Sequence, residues 1–177
     1  MYPFVRMIKE LAVHRHAPPM VVGETHVTHL ICWPWDIDLW MELNNGRTLT
    51  LMDLGRIVLF RRMGFIAAMR HRRWAGTIAG ASVRYRRRVR MFDRVEIQSR
   101  IIGWDARFTY AEHAIWKGGE CCSHALLRMA VTGAAGIIPS AEIARELGLA
   151  ETSPPLPDWV EAWTGAEALR PWPPERA

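Results

Sequence analysis

Lysine is almost missing from this 177-residue chain: only Lys9 and Lys117 stand among its 23 basic residues, so arginine carries the formal charge of +5. Arginine binds phosphate through a planar fork that lysine lacks. High-GC coding would produce the same excess. Cysteine is scarce too, with Cys32 and the adjacent pair Cys121 and Cys122. Three thiols build no disulfide framework, so the sequence predicts a reducing, cytoplasmic setting. No apolar run approaches the roughly 18 residues needed to cross a bilayer, and no integral membrane association is expected. No Gly-x-Ser-x-Gly elbow is present, which argues against a serine hydrolase of that type. There is no zinc knuckle or RNA-binding signature, so no nucleic-acid partner is expected.

What is present suits a soluble globular domain: half the residues are hydrophobic and 23% charged. Phe4, Val5, Ile8, Leu11 and Ala12 fall at helical spacing within Met1–His16, interrupted by Arg6, Lys9 and Glu10. That pattern is a poor signal peptide. It predicts an amphipathic helix packed on its own domain or a partner subunit, with a membrane-surface position as the lesser alternative. Val21–Trp33 is rich in Val, Thr, Ile and aromatics and predicts a first strand. Asn44 or Asn45 then caps a helix running to about Met63, stopped by Gly64. Its residues are apolar most of the way round, so it is expected to be buried on most sides. Phe65–Arg72 adds a further helical turn or two.

Four strand-like runs follow, Ile78–Val89, Arg94–Trp104, Arg107–Trp116 and Cys121–Thr132, separated by tight turns. Val83, Tyr85 and Val89 alternate with Arg84, Arg86, Arg88 and Arg90 at period two, which places the even-numbered arginines on one strand face. Short connections predict an antiparallel meander, and one face of the sheet must cover the long helix, because neither buries its apolar surface alone. Ser140 caps a short helix through Leu147, Ser153–Pro157 is a stiff link, Asp158 caps a last helix, and Pro171–Ala177 is a loose tail. The fold class is α+β, and the expected organisation is an N-terminal helix (1–20), a central domain (21–136) and a C-terminal helical extension (137–177).

The functional signal is concentrated in Trp33–Arg47. Asp38 stands at the end of the first strand, and Asn44-Asn45-Gly46 opens the long helix a short turn later. A carboxylate beside free helix-start N–H groups suits chemistry on a carbonyl, because those groups stabilise negative charge developing on oxygen. Asp36, Asp38 and Asn44 are equally the residues that strand ends and helix caps use. Glu42 in the turn and Asp53 in the helix are competing carboxylates, with Arg56 one turn on as a structural partner for Asp53. The run Arg84, Arg86, Arg87, Arg88 and Arg90 is the candidate for gripping phosphate, with Arg84, Arg86 and Arg88 on one strand face and Arg87 pointing the other way; a solvated sheet face, or one paired to acids across the strands, is the alternative.

These residues resemble the hotdog-fold acyl-CoA thioesterases of the 4-hydroxybenzoyl-CoA thioesterase type, most closely the branch called thioesterase superfamily member six. The likeness rests on the Asp-x-Asp turn, Asn44-Asn45-Gly46-Arg47 and Asp53-Leu54-Gly55-Arg56. It continues in Tyr85-Arg86-Arg87, Ile102-Gly103-Trp104-Asp105 and Ala125-Leu126-Leu127-Arg128, and covers roughly Val22 to Thr132. It implies a helix wrapped by about five antiparallel strands, an acyl-CoA substrate, no cofactor or metal, and a homodimer or homotetramer with sites at subunit boundaries. Asp38 matches the family's nucleophile or general base, and Asn45 the residue whose N–H polarises the carbonyl, with Asn44 and Gly46 beside it. Many relatives have Gly-His where this chain has Met41-Glu42. A hotdog module that binds acyl-CoA or lipid without turnover is therefore the alternative, and a structural or protein-interaction subunit a third.

Other constellations are weaker. His26, His29 and Cys32 resemble a ligand series, but on a strand His29 faces away from the other two. Cys121 and Cys122 point to opposite sheet faces, and His113 and His124 read as core or surface residues. Hotdog dehydratases pair Asp and His five positions apart, whereas Asp38 is followed at that spacing by Leu43.

Overall fold

In the computed structural model, which describes residues 2–176, the element order is α1 (Phe4–Val13), β1 (His26–Ile31), α2 (Asn45–Arg62), α3 (Phe65–Arg72), β2 (Ala75–Tyr85), β3 (Arg94–Trp104), β4 (Thr109–Lys117), β5 (Glu120–Gly133), β6 (Gly136–Ile137), α4 (Ser140–Glu146) and α5 (Asp158–Leu169). Met1, the start of the expected first helix, and Ala177, the end of the expected tail, lie outside the described residues. The strands pair antiparallel in the order β1-β3-β4-β5-β2, with β6 added to β5.

The sheet curls about α2 in the hotdog manner. Alternate residues of β3, Val95, Ile97, Ser99 and Ile101, are buried, as a strand with one covered face requires. Ile97, Ile115 and Ala125 meet Leu51, Met52 and Leu54 of α2 in the main core. Gly55 lets helix and sheet approach closely, since a Cβ there would lie 2.8 Å from Ser99 Oγ. The outer face of β4 and β5 is covered by α5, whose Val160 packs on Tyr110 and Leu126. Gly103 admits the link to α5: at φ 152°, a Cβ would meet Leu156 at 2.9 Å. No described helix is long and apolar enough to cross a membrane.

Several element ends differ from the sequence reading, each for a hydrogen-bonding reason. β1 is only His26–Ile31. Before it, Val21–Glu24 closes a turn, and after it Cys32 exchanges backbone bonds with Phe92 and Asp93 at 2.7 and 2.9 Å. β2 stops at Tyr85 instead of Val89 because the Arg86 and Arg87 N–H groups both donate to Cys122 O, at 2.8 and 3.0 Å. That bulge ends the ladder, so Arg86 and Arg88 do not share a strand face with Arg84. Pro139 and Pro157, not Ser140 and Asp158, take the cap positions of α4 and α5.

α1 is fastened to the body by long-range polar contacts. Arg6 donates to Asp36 at 2.7 Å and to Ile31 O at 2.8 Å. Arg61 and Arg62 of α2 donate to Leu11 O and Pro18 O at 2.7 and 2.9 Å. Buried His26 lies beneath this junction, its ring 4.7 Å from that of His14, with Arg62 Nη1 3.1 Å from its Nδ1.

Burial first, then the charges of His14 and Arg62, push the His26 pKa down from 6.5 to about 4. A lowered histidine pKa gives stability that is complete above the unfolded value and lost as pH falls through the folded one. Thermal unfolding followed by circular dichroism should therefore show the midpoint dropping as pH falls from 6.5 towards 4. His26→Gln should flatten that slope; an unchanged slope would remove His26 from the account. Buried His113, also shifted down, should keep some of the slope in the variant.

Candidate active site

Between β1 and α2 the chain makes a 3₁₀ turn, Pro34–Asp36, and then a tight hairpin closed by a bridge between Ile37 and Leu43. Asp38 N–H donates to Glu42 O at 2.9 Å, and Met41 N–H to Asp38 O at 3.1 Å. Asp36 is fully buried. Its carboxylate accepts from Arg6 at 2.7 Å, from Arg47 at 2.6 Å and from the Trp33 N–H at 3.0 Å. Burial alone would raise its pKa, but these donors outweigh it and hold the group ionised below the usual range. Its carbonyl accepts the Asn44 N–H at 2.9 Å. The first acid of the Asp-x-Asp is thus more than a turn residue: it locks the turn to the helix start.

Asn44 is the cap of α2. Its Oδ1 accepts the Gly46 and Arg47 N–H groups at 2.9 and 3.1 Å, which satisfies two donors that a helix start leaves open. The Gly46 N–H is therefore already engaged. Among the described residues, the Asn45 N–H has no hydrogen-bond partner. Asn45 also lines a cleft of about 230 Å³ walled by Glu42, Tyr85 and Arg86–Arg88.

That cleft exists because the Leu43 N–H donates to Val89 O at 2.8 Å, laying the segment after β2 along the turn. Arg86, Arg87 and Arg88 all line it, brought together by the bulge and not by strand alternation. Glu42 pairs with Arg88 Nε at 2.9 Å, Arg87 with Glu120 at 2.5 Å, and Tyr85 Oη donates to Asn45 O at 3.3 Å. Arg86 has no ion pair among the described residues. An open helix-start donor beside guanidinium groups is suited to a carbonyl oxygen carried by a phosphorylated compound.

The remaining candidates lie elsewhere. Asp38 is half-buried in the hairpin, and its Oδ1 accepts the Trp40 N–H at 2.8 Å. It lies on the turn that leads into the cleft but is not among the residues that wall it. Asp53 sits about 12 Å along α2 from Asn45. It is held by Arg56 and by the Tyr2 hydroxyl at 2.6 Å, at the polar end of a separate cavity of about 280 Å³ lined by Ile57, Phe60 and Met69. Arg84 is exposed on β2, opposite His124. His26 and Cys32 are buried while His29 is exposed, the alternation expected of a strand. Sequence reasoning did not pick out Tyr85 as a cleft residue, expected Arg87 to point away from Arg86 and Arg88, and did not find the pairing of Asp36 with Arg6. The Asn44 cap was readable, but a contact 30 positions away leaves no local pattern.

A family model described as the thioesterase-like superfamily matches residues 32–164, which hold the turn, α2, the arginine segment and most of α5. The chain belongs to that superfamily. It is 35% identical over 82 residues to Protein THEM6 of Xenopus laevis, a match covering 46% of this chain and 40% of that protein. The chain thus spans less than half the length of that relative. Among solved structures it resembles the probable thioesterase YbaW of Escherichia coli, with TM-score 0.61, 17% identity and coverage of 69% of this chain and 96% of that one. It also resembles the DHNA-CoA thioesterase of Staphylococcus aureus, with TM-score 0.60, 16% identity and coverage of 82% and 92%. This superfamily frame gives Met41 a meaning. Its φ of 59° is left-handed, a conformation natural for the glycine that many relatives of this type have in the turn.

The Met41 side chain is exposed, so the backbone governs substitution there. Met41→Gly should raise unfolding stability in urea by about 1 kcal/mol, and Met41→Ala should leave it nearly unchanged. Equal effects of the two variants would show that the φ carries no strain.

Proposed function

We propose that this superfamily member hydrolyses acyl-CoA thioesters at the start of α2. The observation that carries the reading is Asn45, its helix-start N–H unpartnered among the described residues, lining an arginine-walled cleft beside the Asp-x-Asp turn. The thioester oxygen would accept that N–H, which is worth most as charge builds on oxygen during attack. Asp38 would add to the carbonyl carbon directly, or take a proton from a water that does so. The C–S bond then breaks and coenzyme A leaves as thiolate, which takes up a proton; on the direct route a water then hydrolyses the acyl–Asp38 anhydride, and on either route the acid is released. Asp38 Oδ2 has no partner among the described residues, which suits it to either role. Arg86 and Arg88 would hold the coenzyme A phosphates, with Arg87 as a third donor in the same cleft.

The assembly we propose is a homodimer through β2. This strand closes one end of the sheet order, and its outer edge is unpaired over 11 residues. Small residues and a half-exposed Ile78 leave this edge open to another strand, with a register shift between Ile78 and Gly80. A second reading, acyl-CoA binding without turnover, is favoured by one observation: Glu42 is tied to Arg88 instead of being free for proton transfer.

Asp38→Asn should lower kcat/KM for acyl-CoA by about 10²-fold or more while the unfolding midpoint is unchanged. Glu42→Gln should cost less. Wild-type turnover in Asp38→Asn would remove Asp38 as the reacting group, and acyl-CoA binding without thiol release in the wild type would establish the second reading. Arg86→Ala should raise KM for acyl-CoA by about tenfold but leave acyl-pantetheine unaffected. Equal effects on both substrates would overturn the phosphate assignment.

A further inference from the structure

The helix α1 is inside out. Its inward side carries Arg6 and Glu10, followed by His14 just past its end, beside the apolar Met7 and Leu11, and Glu10 is only 2% exposed. Its outward positions are Phe4, Val5, Ile8, Lys9, Ala12 and Val13, five of them apolar. Val5 is 81% exposed and Ile8 62%. A surface helix ordinarily turns its apolar stripe to the core. Here the polar face is anchored by Arg6–Asp36 and by Arg61 on Leu11 O, so the apolar stripe is held rigidly towards solvent.

A second apolar group is tied to the same anchor. Asp36, which binds Arg6, belongs to the turn carrying Trp35, Leu39 and Trp40, which are 66%, 96% and 76% exposed. Trp35 stacks on Trp33 at 5.4 Å, and Trp33 meets exposed Phe92 edge-on at 6.1 Å. Aromatic residues with one wet end are the side chains that settle at a membrane interface.

Charge decides what this surface fits. The charged side chains that α1 and residues 14–16 turn to solvent, Lys9 and Arg15, are both basic. Arg61 of α2 adds a guanidinium fixed to Leu11 O and Arg15 O. The one acid of α1, Glu10, is buried and pairs inward with Lys9 Nζ at 3.0 Å, while the next along the chain, Glu24, accepts the Val21 N–H at 2.9 Å. Lys9 lies in the middle of the apolar stripe. A second copy packed face to face across a two-fold axis would therefore set Lys9 against Lys9 and the arginines against each other. An anionic lipid surface instead takes the apolar side chains below its headgroups and pairs the cations with phosphate.

We propose that α1 and the Trp35–Trp40 turn form a docking surface for an anionic phospholipid bilayer. The turn that leads into the cleft at Asn45 would then lie against the membrane, where an acyl chain partitions. The docking itself does not rest on the hydrolase reading.

The test is flotation of the full chain with vesicles of phosphatidylcholine, with and without phosphatidylglycerol, followed also by tryptophan emission. The chain should float with the anionic vesicles and shift its emission to the blue. Val5→Glu combined with Ile8→Glu should weaken vesicle affinity by about tenfold or more at an unchanged unfolding midpoint. Lys9→Glu should weaken binding to the anionic vesicles alone. Vesicle binding that is absent in the wild type, or unaltered in the double variant, overturns the proposal. So does light scattering that shows the double variant dissolving an assembly in a chain that binds no vesicle. Turnover enters none of these readouts, so loss of the hydrolase reading and loss of the docking surface are told apart.

Discussion

The Asp36 carboxylate, buried between Arg6 and Arg47, is the interaction on which the region around the helix start depends. An ionised group out of water is tolerable only when its oxygens are filled by donors, and here two guanidinium groups and the Trp33 N–H do so. Each donor belongs to a different part of the chain: α1, the first turn of α2, and the 3₁₀ turn. Because the Asp36 carbonyl also takes the Asn44 N–H, one residue fixes the distance and angle between the Asp-x-Asp turn and the helix cap. The Asn45 donor is thereby set against the turn, and α1 is fastened polar side down.

Much of the frame was legible because it repeats a local pattern. The α2 start could be read from Asn44-Asn45-Gly46 because a cap is a contact between near neighbours. The β3 strand could be read from Val95, Ile97 and Ile101 because burial alternates along it. The site was legible only in part. Asn45, Glu42 and Arg86–Arg88 converge on one cleft, but the reason is the double hydrogen bond on Cys122 O, which ends β2 at Tyr85. A period-two pattern continues straight through that point in the sequence, since a bulge changes the backbone without changing residue types. The same limit applies to α1: spacing revealed an amphipathic helix, but which face turns inward was decided by Asp36, 30 positions away.

The two carboxylates on the open side of α2 illustrate how hydrogen bonding separates candidates of equal chemistry. Asp53 is held by Arg56 and Tyr2 at an apolar cavity, so its oxygens are occupied within the fold. Asp38 spends one oxygen on its own turn and keeps the other open. A group that must form or break a bond to an incoming molecule cannot have both oxygens committed. On that ground the proposed reaction uses Asp38 and not Asp53, although both are half-buried.

The turn from Leu39 to Glu42 departs from the relatives' Gly-His pattern and also carries some of the most exposed apolar side chains. Both follow from one constraint. The Asp38–Glu42 and Met41–Asp38 backbone bonds, with the Ile37–Leu43 bridge, fix the hairpin without help from its side chains. Leu39, Trp40 and Met41 are thus free of any structural duty, and a left-handed φ at Met41 is borne by the hairpin. Side chains released from packing can be chosen for what lies outside the protein. Large apolar residues on a backbone already fixed, beside a helix with the same bias, lose only side-chain freedom and no backbone freedom when an apolar phase covers them.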